Sequence, residues 1–290
     1  MTPKNIAIFP NAEYDRAYAY TKQAVRVLAE NGISSLLHED ARPFFEADTA
    51  APAFLSDPDA MIEKADMILV LGGDGTMINY SVRAAEKNKP AIGINLGHLG
   101  FLMALERTEI DQLCALPSGA FQTETRMLLE AEIELDGKTI HKQRILNDIV
   151  IASGVRSKIA ELSLSSDAGG TLAYRADGII VATPTGSTAY SFSAGGPIID
   201  PMAEIISVTP ICTHSLLNRS VLLSADTAIS VSGKTRDLCT DIHITMDGKN
   251  GRLVPAEARI HIKRSPYTAR IIKIGTNRFY DILETKLNRK

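Results

Sequence analysis

The chain has few cysteines, no long apolar run and no excess of one charge, and each shortage closes off a class of function. Cys114, Cys212 and Cys239 are odd in number and far apart, with no CxxC pair. Neither a disulfide framework nor a zinc site is indicated, and a cytoplasmic, reducing location is expected. No apolar stretch approaches the roughly 18 residues that span a bilayer, and MTPKNIAIFP enters a strand pattern without the charged and apolar regions of a signal peptide. No export and no membrane association are expected. The net charge of -3, from 31 Lys+Arg against 34 Asp+Glu, leaves no broad cationic field for nucleic acid. Small-molecule partners remain.

Several catalytic signatures are missing too. There is no GxxxxGK[ST] phosphate loop, no GxGxxG dinucleotide fingerprint, no HExxH and no GxSxG elbow. His38, His98, His141, His214, His243 and His261 show no metal-ligand spacing, so they read as structural.

At 290 residues, with 45% hydrophobic and 22% charged residues, the chain is an ordinary globular sequence able to bury a sizeable core. Its first part alternates strand and helix patterns. Asn5 to Phe9 is a short β-type run; Ala17, Tyr20, Ala24 and Leu28 recur at helical spacing until Asn31-Gly32; Ile33 to Leu37 is the next strand. ARPFFEADTAAPAFLSDPDA reads as a loop. Met67 to Leu71 is continuously apolar, as in buried parallel strands, and Ala91 to Asn95 is another strand. Thr108 with Asp111 gives a capping-box signal.

Near residue 120 the period changes to two. Ala131, Ile133 and Leu135 alternate with Glu130, Glu132 and Glu134 before an Asp136-Gly137 hairpin turn, and ELSLSS, AISVSG, DIHITMDG and ARIHIKR repeat the alternation. The expected fold is α/β: an N-terminal Rossmann-like parallel-sheet domain over residues 1–120, joined by a C-terminal helix within 266–290, and a β-rich, antiparallel, sandwich-like domain over residues 121–265.

Four stretches could carry chemistry. In LGGDGT, a glycine-rich turn between a buried strand and a helix lets backbone N–H groups approach phosphate, which suits Gly72, Gly73 and Gly75. Asp74 is out of place there. A carboxylate beside polyphosphate is repelled unless it accepts a proton from an attacking hydroxyl or faces the phosphates through a divalent cation. Both point to phosphoryl transfer; the competing reading makes Asp74 a helix N-cap. GINLGHLGFL, Gly93 to Leu102, permits close backbone approach or simple packing, with Asn95 as the polar group where the strand ends.

Asn147-Asp148, inside an apolar run, needs partners that a ligand could supply: an amide can read an adenine edge, and an acid can accept from ribose hydroxyls. A β-bulge or turn is the other reading. YRADGIIVATPTGSTAYSFSAGGPIIDP is the richest stretch, with hydroxyls on Thr183, Thr185, Ser187, Thr188, Tyr190, Ser191 and Ser193. Flanked by IIVA and PII, these are expected to line a cleft as neutral donors for a pyrophosphate or ribose; a polar surface loop is the alternative.

Taken together, GGDGT, NLGxLGF from Asn95, NDIVI from Asn147 and DGxxxxTPTGSTAYSxSAGGPI from Asp177 resemble the NAD kinase family, in order and over most of the chain. GGDGT is shared with diacylglycerol and sphingosine kinases and phosphofructokinases; TPTGSTAYS is much more specific. The resemblance implies phosphorylation of the adenosine ribose 2'-hydroxyl of NAD to NADP, with ATP or polyphosphate as donor and Mg2+ or Mn2+ as cofactor. It implies Asp74 as proton acceptor, Asp74 and Gly75 at the ribose, Asn147 and Asp148 at the adenosine, and Thr188, Ala189, Tyr190, Ser191, Phe192 and Ser193 along the dinucleotide pocket. Arg175 and Asp177 match further ligand positions. The family usually has Glu where Asp148 stands; Lys158 falls where His or Arg can occur, and Lys249 where many bacterial members place Gln. A homodimer or homotetramer is implied. Two other readings of the residues stay open: a lipid or sugar kinase sharing the GGDGT turn, and a nonenzymatic nucleotide-binding sensor.

Overall fold

The computed structural model describes residues 2–46, 51–97, 100–154, 159–214, 218–234, 241–275 and 279–287. The chain divides into two compact units, one made of Met1–Thr125 with Ala269–Lys290, the other of Arg126–Thr268.

In the first unit β1 (Asn5–Pro10), α1 (Ala19–Glu30), β2 (Ser34–His38), β3 (Ala53–Leu55), α2 (Pro58–Lys64), β4 (Met67–Gly72), α3 (Asp74–Glu86) and β5 (Ala91–Asn95) alternate along the chain. The sheet runs β5-β4-β1-β2-β3 with every pair parallel. Ile271 lies parallel and opposite Ala91 on the outer side of β5. All six residues of β4 are buried, because a parallel strand flanked by strands and covered by helices has no solvent face. Thr21, Ala24, Val25, Val27 and Leu28 form the buried stripe of α1, recurring at helical spacing.

Two expectations are corrected here. The stretch read as a loop holds β3 and the start of α2, with Asp57 capping α2 by accepting from Asp59 N–H at 2.9 Å. A three-residue strand at a sheet edge is too short to leave a period. The capping box lies two residues earlier than Thr108 and Asp111: Glu106 and Glu109 form it, ahead of a 3-10 helix over Arg107–Ala115. Glu106 N–H donates to Glu109 at 2.9 Å.

After the two-residue β6 (Leu105–Glu106), the chain enters β7 (Gln122–Leu135), β8 (Lys138–Ile145), β9 (Asp148–Ser153), β10 (Ala160–Ser166), β11 (Thr171–Ala176), β12 (Gly178–Ala182), the single-turn α4 (Tyr190–Ser193), β13 (Ile205–Ile211), β14 (Val221–Ser224), β15 (Ile229–Lys234), β16 (Ile242–Met246), β17 (Lys249–Val254) and β18 (Arg259–Lys273). In the second unit β14-β13-β12-β9-β16-β17 form one antiparallel layer. The run β11-β10-β15-β18 forms another. One core fills the sandwich, with Ile149, Ile151, Ile179 and Val181 from the first layer and Leu162, Leu164, Val231 and Ile260 from the second. Asp136 and Gly137 turn the β7–β8 hairpin with φ of 50° and 73°, the left-handed pair such turns require. Phe279–Leu287 forms α5. No helix among the described residues is long and apolar enough to cross a membrane.

Candidate active site

The first unit holds a glycine turn with an acid. β4 ends at Gly72, Gly73 is the extended N-cap of α3, and Asp74 is the first helical residue. The three glycines are not equivalent. A Cβ on Gly72 would press on Thr76 Oγ1 at 2.9 Å and Asn11 Cβ at 3.2 Å, whereas a Cβ on Gly73 or Gly75 would meet nothing within 4 Å. Gly72 is required by packing. Gly73 and Gly75 leave the backbone at the helix N-terminus open, where its unpaired N–H groups favour an anion.

Asp74 does not cap its own helix. Its carboxylate instead accepts from Phe101 N–H at 2.9 Å and Leu102 N–H at 3.1 Å. A Cβ on Gly100 would collide with Asp74 Oδ1, so the glycine permits this approach. The NLGHLGF stretch, apart from residues 98 and 99, which lie outside the described residues, thus serves as a cradle for an acid. Asn95 is spent within it: Nδ2 donates to both Glu106 oxygens at 3.0 Å, and Oδ1 accepts from Gly97 N–H at 3.2 Å.

The second unit, described by itself, holds a buried acid pair. Asp247, at φ 49° in the turn between β16 and β17, accepts from Leu146 N–H at 2.9 Å, Asn147 N–H at 2.7 Å and Asp148 N–H at 3.3 Å. Asp148 is 4% exposed. Burial, reinforced by the Asp247 charge and opposed by the Tyr190 N–H bond, pushes its carboxyl up to about 7. Burial also raises Asp247, but three backbone N–H groups and Lys249 work against the rise. With three donors against one, Asp247 is the partner that ionises first and Asp148 the one that holds a proton. Beside them the Asn147 side-chain oxygen is buried with no hydrogen-bond partner among the described residues.

The hydroxyl-rich segment is built differently from the expectation of free donors along a cleft. Thr183 Oγ1 donates to Leu146 C=O at 2.5 Å and accepts from Gly186 N–H at 3.1 Å. Ser187 Oγ donates to Pro184 C=O at 2.7 Å and accepts from Ile199 N–H at 3.1 Å. Ser191 Oγ bonds Thr209 Oγ1 at 3.1 Å, and Thr188 Oγ1 donates to Thr185 C=O at 3.3 Å. Thr183, Thr185, Ser187 and Ser191 are buried. These hydroxyls tie the segment to its own turns and to the chain at Leu146, Ile199 and Thr209; a sequence does not distinguish an internal acceptor from a ligand. Tyr190 and Phe192 present exposed rings, and the Tyr190 N–H reaches Asp148.

Comparison with known proteins decides what these parts belong to. The ATP-NAD kinase N-terminal domain family matches residues 6–116, and the ATP-NAD kinase C-terminal domain family matches residues 146–274. The chain belongs to the NAD kinase family. An NAD kinase of Symbiobacterium thermophilum is 37% identical over 287 residues, covering 97% of this chain and 98% of that one. An NAD kinase of Natranaerobius thermophilus is 35% identical over 285 residues, covering 98% of each. Two solved structures share the fold at 22% identity: a yeast NADH kinase complexed with NADH, at TM-score 0.85 over 100% of this chain and 88% of that one, and an Archaeoglobus fulgidus NAD kinase in complex with ATP, at TM-score 0.70 over 98% of each.

Of the remaining positions matched to the NAD kinase pattern, Arg175 and Asp177 are exposed at the β11–β12 junction, Arg175 lying 3.5 Å from Glu161. Lys249 is exposed at the start of β17, and Lys158 lies outside the described residues. Sequence reasoning missed Asp247, whose Asp-Gly looked like any hairpin turn, and Lys273, a cation within the apolar run RIIKIG. Among the described residues no group of three or more His, Cys, Asp or Glu side chains could hold a metal ion.

Proposed function

We propose that this chain transfers the terminal phosphoryl group of ATP to the 2'-hydroxyl of the adenosine ribose of NAD, making NADP, with Asp74 as proton acceptor. One observation carries the assignment of Asp74: a carboxylate at an open glycine turn, fixed by two backbone N–H donors rather than by a cation. Fixed acceptors of this kind align a hydroxyl without reorganisation during reaction. As the 2'-oxygen bonds to the terminal phosphorus, the bond from that phosphorus to the β–γ bridging oxygen breaks and ADP leaves, while the hydroxyl proton passes to Asp74. The loose transition state of such transfers makes orientation at least as important as basicity.

Asn147 and Asp148 are read as the adenosine contacts. The unpartnered Asn147 oxygen suits an exocyclic amine. A protonated Asp148 can donate as well as accept, which fits a sugar hydroxyl or ring nitrogen. A divalent ion, Mg2+ or Mn2+, would supply neutralisation of the phosphate charge. ATP as donor is supported by the Archaeoglobus relative. Exposed, unpaired Cys114 and Cys212 fit the reducing cytoplasm, and a homodimer or homotetramer follows the family pattern, to be checked by light scattering.

Purified protein incubated with NAD, Mg2+ and ATP should form NADP, and Asp74→Asn should lower kcat by about 10²- to 10⁴-fold with NAD binding retained. Unchanged turnover in that variant rejects the base assignment; NAD binding without NADP from ATP or polyphosphate makes the protein a sensor instead.

A further inference from the structure

Lys273 is the last residue of β18, flanked by Ile271, Ile272 and Ile274, and is 8% exposed. A buried ammonium needs acceptors for its three donors. It finds them on consecutive residues of the cradle: Nζ donates to Met103 C=O at 2.9 Å, Leu102 C=O at 3.2 Å and Phe101 C=O at 3.3 Å.

Two of them, Phe101 and Leu102, are the residues whose N–H groups hold Asp74. The carbonyl of Phe101 and the N–H of Leu102 belong to one peptide plane, and in a trans peptide the two point in opposite directions. Lys273 therefore draws the carbonyl to one side, and the same plane presents the N–H to Asp74 on the other. A cation on the carbonyl also polarises the amide, strengthening the N–H as a donor.

From this chain of contacts we infer that Lys273 is a positioning residue for the transfer reaction, acting through the Phe101–Leu102 peptide to hold the Asp74 carboxylate where the substrate hydroxyl meets it. Lys273 reaches the cradle through its backbone carbonyls. The inference rests on the proposed role of Asp74, and a double-mutant cycle separates the two.

The experiment compares wild type, Asp74→Asn, Lys273→Met and the double variant, measuring kcat, KM for NAD and ATP, and the melting temperature of each. Lys273→Met keeps the length of the side chain and removes its three donors. The expected result is a fall in kcat of about 10- to 100-fold, with KM for NAD changed less than about threefold, and no further fall in kcat when Lys273→Met is added to Asp74→Asn. Equal falls in both backgrounds, or an unchanged kcat in Lys273→Met, would overturn the inference while leaving Asp74 intact. An unchanged kcat in Asp74→Asn would overturn the functional reading beneath it. If Lys273→Met does not fold, Lys273→Gln, which keeps N–H donors without charge, takes its place in the same cycle. Gly100→Ala gives an independent reading: its Cβ collides with Asp74 Oδ1, so kcat should fall with NAD binding retained, and an unaffected kcat would show that the cradle does not set the position of Asp74.

Discussion

Asp247 grips the backbone of Asn147 at 2.7 Å across 100 residues of sequence, and the same carboxylate takes the N–H groups on either side. Backbone donors buried without an acceptor are costly, and each bond to a charged acceptor is worth about 1.5 to 3 kcal/mol. Asp247→Ala should therefore lower unfolding stability by about 3 kcal/mol or more in urea titration. It also places alanine at φ 49°, where aspartate and asparagine are better tolerated. Asp247→Asn keeps one acceptor oxygen and the backbone preference, so it should lose less than half as much stability. Because Asp247 shapes Asn147 and Asp148 but not Asp74, the kinetic effect of Asp247→Asn should appear chiefly in KM for NAD.

The Asp148 carboxyl gives the protein a defined pH signature. Its folded-state value of about 7 lies above the ordinary 3.8, so between about pH 4 and 7 the folded chain binds more protons than the unfolded one. Stability contributed by this residue is fully present below the lower limit and declines as pH rises through the window. The shift sets a ceiling on the order of 4 kcal/mol. Asp148→Asn stays neutral throughout, so its melting temperature should gain on that of wild type from pH 4.5 to pH 8. A difference independent of pH would show that Asp148 is ionised in the folded protein.

The parts of the fold that sequence revealed are those governed by neighbours in the chain. Met67–Gly72 reads as a buried strand because every side chain is apolar, and Ala131 and Ile133 are buried while Glu132 and Glu134 stay partly exposed. Glu130 breaks that alternation. It is buried and satisfied by Lys142 at 3.1 Å and Arg144 at 3.8 Å from β8, a pairing set by strand register. In the candidate site, the glycine turn and its acid were legible, but what holds the acid was not. The cradle lies 27 residues from Asp74 and Lys273 a further 171 from Leu102; nothing local marks either. In the TPTGSTAYS stretch the hydroxyls of Thr183 and Ser191 mislead for the same reason, since their partners at Leu146 and Thr209 are 37 and 18 residues away.

Gly186 tests whether that stretch is a scaffold. A Cβ there would collide with the Asn147 carbonyl oxygen, and neither backbone can yield because Thr183 N–H bonds the same carbonyl at 2.9 Å. Gly186→Ala should destabilise the protein by more than about 3 kcal/mol, seen as a lowered melting temperature. Ser187→Ala leaves the Ile199 N–H without its side-chain acceptor and should cost about 1 to 3 kcal/mol.

Gly73 makes the opposite prediction. Its φ of -120° and ψ of -179° are extended backbone open to any residue, and an added Cβ meets nothing within 4 Å. If the turn serves only to join β4 to α3, Gly73→Ala should behave as wild type in every assay. If a phosphate comes against the helix N-terminus, the methyl group stands in its path, and loss of about 1.4 kcal/mol of binding corresponds to a tenfold rise in KM. The proposed function therefore predicts a melting temperature within about 2 degrees of wild type and a KM for ATP raised roughly tenfold or more. Wild-type kinetics in a folded Gly73→Ala would exclude phosphate contact at this face of the turn.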